Sequence, residues 1–121
     1  MEIRRGEIYF VSLDPVFGRE IGGFKMRPVL VISINDLHMH RLVTVVPGTD
    51  ADHATRSWWN YVRVDADNAN GLKKETSFLC HQIRSIEHGR FTQKRIGHIS
   101  RQHLQRIEKV VARCLGLGID V

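Results

Sequence analysis

A small, mainly β domain, either a barrel or a sandwich, closed by one C-terminal helix, is the fold class this sequence predicts. Two patterns carry the prediction. Five short apolar or alternating stretches, at 8–11, 28–34, 42–46, 58–64 and 76–80, are separated by turn residues. One later segment, 100–116, instead repeats its apolar residues at helical spacing. No repeat, low-complexity tract or long linker divides the chain, so residues 1–121 are expected to form one domain.

Each element has a local reason. Ile8-Tyr9-Phe10-Val11 is a first strand, stopped by the turn pair Asp14-Pro15. Pro28 to Ile34 is β-branched and uncharged, as expected of a buried central strand, and Asn35-Asp36 breaks it. Leu42 to Val46 is a third strand, expected to end at Pro47-Gly48. Trp58 to Val64 alternates like a half-exposed strand. Thr76 to Cys80 is a fifth and is expected to continue through Ile83. In the helix, Ser100 is the expected N-cap and Gly116 the stop. Leu104, Ile107, Val110, Val111, Cys114 and Leu115 share one arc, opposite Arg101, Arg106, Lys109 and Arg113. The helix should therefore lie on the sheet with its basic side outward.

Composition narrows the function classes. The longest apolar runs, Val29 to Ile32 and Val43 to Val46, are far short of a membrane span, so no membrane partner is expected. The start, Met1-Glu2-Ile3-Arg4-Arg5, lacks the apolar stretch of a secretory signal, and cytoplasmic residence is the expectation. Cys80 and Cys114 stand in apolar settings without Cys-x-x-Cys spacing and read as free thiols. The formal charge of +5 is unevenly spread. Residues 1–60 carry seven Lys/Arg and seven Asp/Glu, whereas 61–121 carry eleven and six. Such a surplus suits a polyanionic partner, and equally suits plain solubility.

The segment Gly18 to Pro28 is the most informative. A glycine-bearing charged loop delivers Arg27 directly in front of Pro28, which confines Arg27 to extended backbone. A directed guanidinium is how a fold presents a planar fork of donors to phosphate. Thr49 follows the rigid Pro47-Gly48 pair, and Gln82 and Arg84 stand in Leu79 to Ile86, where strand alternation would put them on one side and Ile83 on the other. His38 and His40 offer two imidazoles without a further ligand cluster, so no metal is expected there. No phosphate-loop or dinucleotide fingerprint is present.

In combination these segments are specific. Arg5-Gly6-Glu7-Ile8, the Asp14-Pro15 turn, Gly18-x-Glu20 with Arg27-Pro28-Val29-Leu30-Val31-Ile32-Ser33, Val46-Pro47-Gly48-Thr49 and Gln82-Ile83-Arg84-Ser85-Ile86 occur in this order. From Arg5 to about Leu117 the chain closely resembles the MazF/PemK family of toxin endoribonucleases from bacterial toxin–antitoxin pairs. The resemblance implies a small SH3-like β-barrel of the MazF/PemK/CcdB kind, assembled as a homodimer. It implies metal-independent, cofactor-free cleavage of single-stranded RNA at short sequence motifs. It further implies an acidic antitoxin protein as partner, and DNA binding together with that antitoxin. Arg27 and Thr49 match the family's catalytic pair, and Glu20 and Gln82 match its RNA contacts. Phe17, Lys25 and Arg84 are further expected RNA-binding residues, and Phe24 is expected either to stack on a base or to pack on the barrel. Two departures bear on RNA sequence preference: a longer stretch between Glu20 and Arg27, and His81 where an acid is common. The rival readings are a basic barrel that binds nucleic acid or protein without cutting, a gyrase-poisoning relative, and a metal-dependent nuclease.

Overall fold

Each of the central strands is apolar at nearly every position because both faces of the sheet are covered. The computed structural model describes residues 2–23, 25–50 and 58–118. Among the described residues seven strands form an antiparallel sheet: β1 (Glu7–Val11), β2 (Arg27–Val31), β3 (Leu42–Asp50), β4 (Tyr61–Val64), β5 (Thr76–Leu79), β6 (Arg84–Glu87) and β7 (Gly97–His98). They run in the order β4-β5-β3-β2-β1-β7, with β6 also paired to β3. The sheet is a half-barrel, and the helix α1 (Arg101–Cys114) packs on one face of it.

Alternation assigns side chains to the two faces. Ile8, Leu30 and Val46 join Val62, Phe78 and Ile99 in one core, completed by Ile107 and Val111 of α1. Tyr9, Val29, Val31, Val43 and Val45 join Leu13, Ile86 and Phe91 in a second core on the other face. Tyr9 meets Phe91 edge to face at 5.1 Å between ring centres. Fully burying an aliphatic side chain contributes about 1.5–3 kcal/mol, so continuous strands of this kind stabilise both layers at once.

The helix forms as its sequence predicts. Ser100 accepts a hydrogen bond from the N–H of His103, and Gly116 follows the last turn at φ +67°. Leu115 is the exception to the apolar arc: it lies beyond the last helical turn and is exposed.

Four strand boundaries differ from expectation. β3 does not stop at Pro47-Gly48 but runs through to Asp50. On one flank it pairs with β6 over residues 42–45 and with β5 over 48–50, so Pro47 falls in the gap between the two partners. A Cβ on Gly48 would lie 2.7 Å from Thr76 Cγ2 and 3.2 Å from the Phe78 ring, so the absence of a side chain admits β5. The fifth strand does not reach Ile83. A 3₁₀ turn, Cys80–Gln82, bends the chain, and β6 starts afresh at Arg84, so Gln82 and Arg84 are not neighbours on one strand face. β2 ends at Val31 because the N–H groups of Ile32 and Ser33 both donate to the Thr44 carbonyl, and β4 begins only at Tyr61, after a turn closed by Tyr61 N–H to Trp58 O. No helix among the described residues is long and apolar enough to cross a membrane.

Candidate active site

Antiparallel register brings the two suspected catalytic residues together. Val31 pairs with Val45, Leu30 with Val46 and Val29 with Pro47. Continuing that register by two steps sets Arg27, the first residue of β2, opposite Thr49 near the end of β3. Arg27 Nη1 donates to Thr49 Oγ1 at 3.2 Å, and Arg27 Nε donates to the Gly22 carbonyl at 2.9 Å. Thr49 is buried and Arg27 half-buried, so the guanidinium is fixed at two points while part of it faces solvent.

The loop behind Arg27 is tied down in turn. Gln82 Oε1 accepts from the N–H of Ile21 at 2.6 Å, and Asp14 Oδ1 accepts from the N–H of Gly23 at 3.0 Å. Gly22 is needed at the crossing: a Cβ there would lie 2.6 Å from Val16 Cγ2 and 2.8 Å from Asp14 Oδ1. A continuous path of bonds therefore leads from Gln82 through the backbone at Ile21 and Gly22 to Arg27 and Thr49. Arg84 Nη1 donates to the Leu13 carbonyl at 3.3 Å and so also braces the start of this loop.

The remaining suspected residues divide into two groups. Glu20, exposed, accepts from the N–H of Phe17 at 2.7 Å and shares with Arg19, His81, Gln82 and Arg84 an open cleft of about 670 Å³. Lys25 lines a smaller hollow beside Arg27 with Phe10, Asp50, Lys73 and Lys74. Phe17 is 88% exposed. Phe24 lies outside the described residues. His38 does not behave as a surface histidine: its ring bridges Ser33 Oγ at 2.7 Å and the Ile3 carbonyl at 2.9 Å, while His40 is exposed. Among the described residues no three His, Cys, Asp or Glu side chains gather to hold a metal ion. Cys80 and Cys114 are free thiols, and burial pushes that of Cys80 up to about 12.

Residues that sequence reasoning passed over also stand here. Asp14, a turn former by its sequence, also accepts from the Gly23 N–H. Ser77, fully buried and paired across the ladder with Thr49, finds no hydrogen-bond partner for its hydroxyl among the described residues. The adjacent Lys73-Lys74 pair was a visible signal of positive charge, although nothing in the sequence located it beside Arg27.

Known proteins share this arrangement of chain. Residues 4–115 match the family described as PemK-like, MazF-like toxin of type II toxin-antitoxin system. The chain belongs to the MazF/PemK family of toxin endoribonucleases. It is 31% identical over 117 residues to the endoribonuclease EndoA of Bacillus subtilis (strain 168), covering 97% of each chain. Among solved structures it superposes on MazF from Deinococcus radiodurans with a TM-score of 0.81 at 19% identity, covering 97% of this chain and 99% of that one. A mycobacterial endoribonuclease in complex with its cognate antitoxin gives 0.74 at 19% identity, covering 98% and 99%. At such identities the two structural matches establish the MazF fold: an antiparallel half-barrel with a C-terminal helix.

Proposed function

We propose that this chain is the toxin of a type II toxin–antitoxin pair, and that it cleaves single-stranded RNA by transesterification at Arg27 and Thr49. In this reaction the ribose 2′-oxygen forms a bond to the adjacent phosphorus as the 2′-hydroxyl loses its proton. The bond from phosphorus to the 5′-oxygen breaks, and that oxygen takes up a proton. The products are a 2′,3′-cyclic phosphate and a free 5′-hydroxyl. The observation that carries the reading is the two-point fixation of Arg27 between Gly22 O and Thr49 Oγ1. A guanidinium held this way needs little reorganisation to donate to the non-bridging oxygens as charge builds on them. An arginine side chain does not give up its proton in proteins, so it serves as a charge stabiliser and not a proton donor. Thr49 Oγ1 positions both the guanidinium and the reacting phosphate.

The surrounding cleft suits a single strand. Phe17 offers a ring for base stacking, Lys25 and Arg84 offer charge, and Glu20 and Gln82 offer polar edges at the cleft. The charge surplus of residues 61–121 suits an acidic antitoxin, which would cover the cleft of a homodimer and take that dimer to DNA.

The test is direct. Arg27→Ala is expected to slow cleavage of single-stranded RNA by about 10²–10³-fold, the loss typical of one preorganised donor to an oxyanion. Wild-type protein should yield discrete fragments in EDTA. If Arg27→Ala protein cut as fast as wild type, the assignment would fail. A wild-type protein that binds RNA but never cuts it would be a binding barrel. A short acidic product of the neighbouring reading frame would support the pairing.

A further inference from the structure

The outer face of α1 and the turn before β4 take no part in the site described above, yet they are built of unusual material for a solvated surface. Trp58 and Trp59 are 54% and 48% exposed. The Arg113 guanidinium lies over the Trp59 ring at 4.0 Å from its centre. The Trp58 ring lies 6.4 Å from that of Tyr61, and Tyr61 stacks on His81 at 5.6 Å with planes 2° apart. His81 borders the cleft next to Gln82. A line of rings therefore leads out of the cleft and ends beside the helix.

The helix adds charge along that line. Arg101, Arg106, Lys109 and Arg113 are all exposed, and none has an ion pair among the described residues. The single acid of α1, Glu108, is engaged by Arg5 instead. Arg106, His103 and Trp59 line two hollows in common, one against the helix and one reaching Tyr61. His81 itself contributes a ring more than a charge. Asn60 Nδ2 lies 2.8 Å from its Nδ1, and partial desolvation lowers its pKa.

We infer that the rings Trp58, Tyr61 and His81 and the basic face of α1 form a track for single-stranded RNA flanking the cleaved step. The inference rests on the reading of the chain as an RNA-cleaving enzyme. Cations alone would serve solubility, but a solubilising face has no use for half-exposed tryptophans beside it. Rings that accept bases, interleaved with cations that follow the backbone, are the pattern of single-strand binding. The track leads out of the cleft, so it would engage nucleotides outside the cleaved step and add to affinity for long substrates.

Two RNAs separate this role from the chemistry: a short oligonucleotide spanning only the cleaved step, and a long single strand containing it. In an Arg106→Gln/Lys109→Gln/Arg113→Gln variant, kcat/KM for the long strand should fall at least about tenfold further than for the short one. Removing three phosphate contacts should also make the salt dependence on the long strand shallower by roughly 2 in log–log slope. Trp58→Ala should lower kcat/KM selectively for the long strand, by about tenfold. Equal changes on the two RNAs, or none, would overturn the track. So would a triple variant that keeps the wild-type ratio between the RNAs but no longer binds an acidic polypeptide, which would give this face to a protein partner. A wild-type protein inert towards both RNAs would instead defeat the reading of the function itself.

Discussion

Gly22 shows how tightly the position of one guanidinium depends on a residue with no side chain. Its carbonyl accepts from Arg27 Nε, and the space where a Cβ would stand is taken by Val16 and Asp14. Gly22→Ala should therefore displace the loop carbonyl while pressing only on Val16, at the margin of the second core. The expected result is a loss of RNA cleavage of about tenfold or more, with a urea midpoint close to that of wild type. Misplacing a catalytic group by an ångström is enough for such a loss, whereas the loop touches the second core only at its margin, through Val16 and Ile21. Single-turnover cleavage measured beside urea denaturation of the same sample checks both halves. Equal cleavage rates for variant and wild type would remove Gly22 from the positioning path. Gln82 illustrates the same dependence from another direction: its amide oxygen is already committed to Ile21 N–H, so it supports the loop as well as bordering the cleft.

At the scale of elements, α1 and the strands differ in how far local chemistry specifies them. The helix bounds follow from Ser100 and Gly116, because capping and left-handed backbone are local demands. Ser100→Ala is expected to cost about 1 kcal/mol, since it leaves the His103 N–H without its cap, and urea unfolding would measure it. An unchanged midpoint would mean that the cap contributes nothing. The strands are less local. Pro47-Gly48 has the chemistry of a turn, and in isolation it would be one. It stays in β3 because the strand exchanges β6 for β5 along one flank at that point. The reverse holds for residues 80–83, which continue a strand-like pattern but bend because β6 must return to the opposite end of β3.

Across the whole molecule, a buried acid near the N-terminus ties the last part of the sheet to the first strand. Glu7 is 2% exposed, and it accepts from Tyr9 Oη at 2.8 Å, Arg95 Nη1 at 2.5 Å and the Arg4 N–H at 2.7 Å. Burial by itself would raise its pKa, but the hydrogen bonds outweigh burial and hold the carboxyl below its ordinary value. A carboxyl depressed in the folded state stabilises the fold above its unfolded pKa, and that contribution is lost as pH falls through the folded value. Urea midpoints of wild-type protein should therefore drop as pH falls below about 4.5. Glu7→Gln, already weaker at neutral pH, should show a flatter acid limb. Parallel limbs for the two proteins would show that Glu7 does not govern the acid transition.

The sequence by itself determined the number and type of the early strands, the helix with its caps and basic face, and the residues suited to phosphate chemistry. These are properties of local pattern: period two, period 3.6, a proline behind an arginine. Only the tertiary structure decided that Arg27 and Thr49, 22 positions apart, share a hydrogen bond, because that contact is a consequence of strand register. It also decided that Asp14, Gly22 and Gln82 brace the same loop, and that Trp58 lines up with Tyr61 and His81. Such contacts depend on how far one strand is shifted against another. A shift of a single residue would turn every side chain to the other face, and no short stretch of sequence encodes it alone.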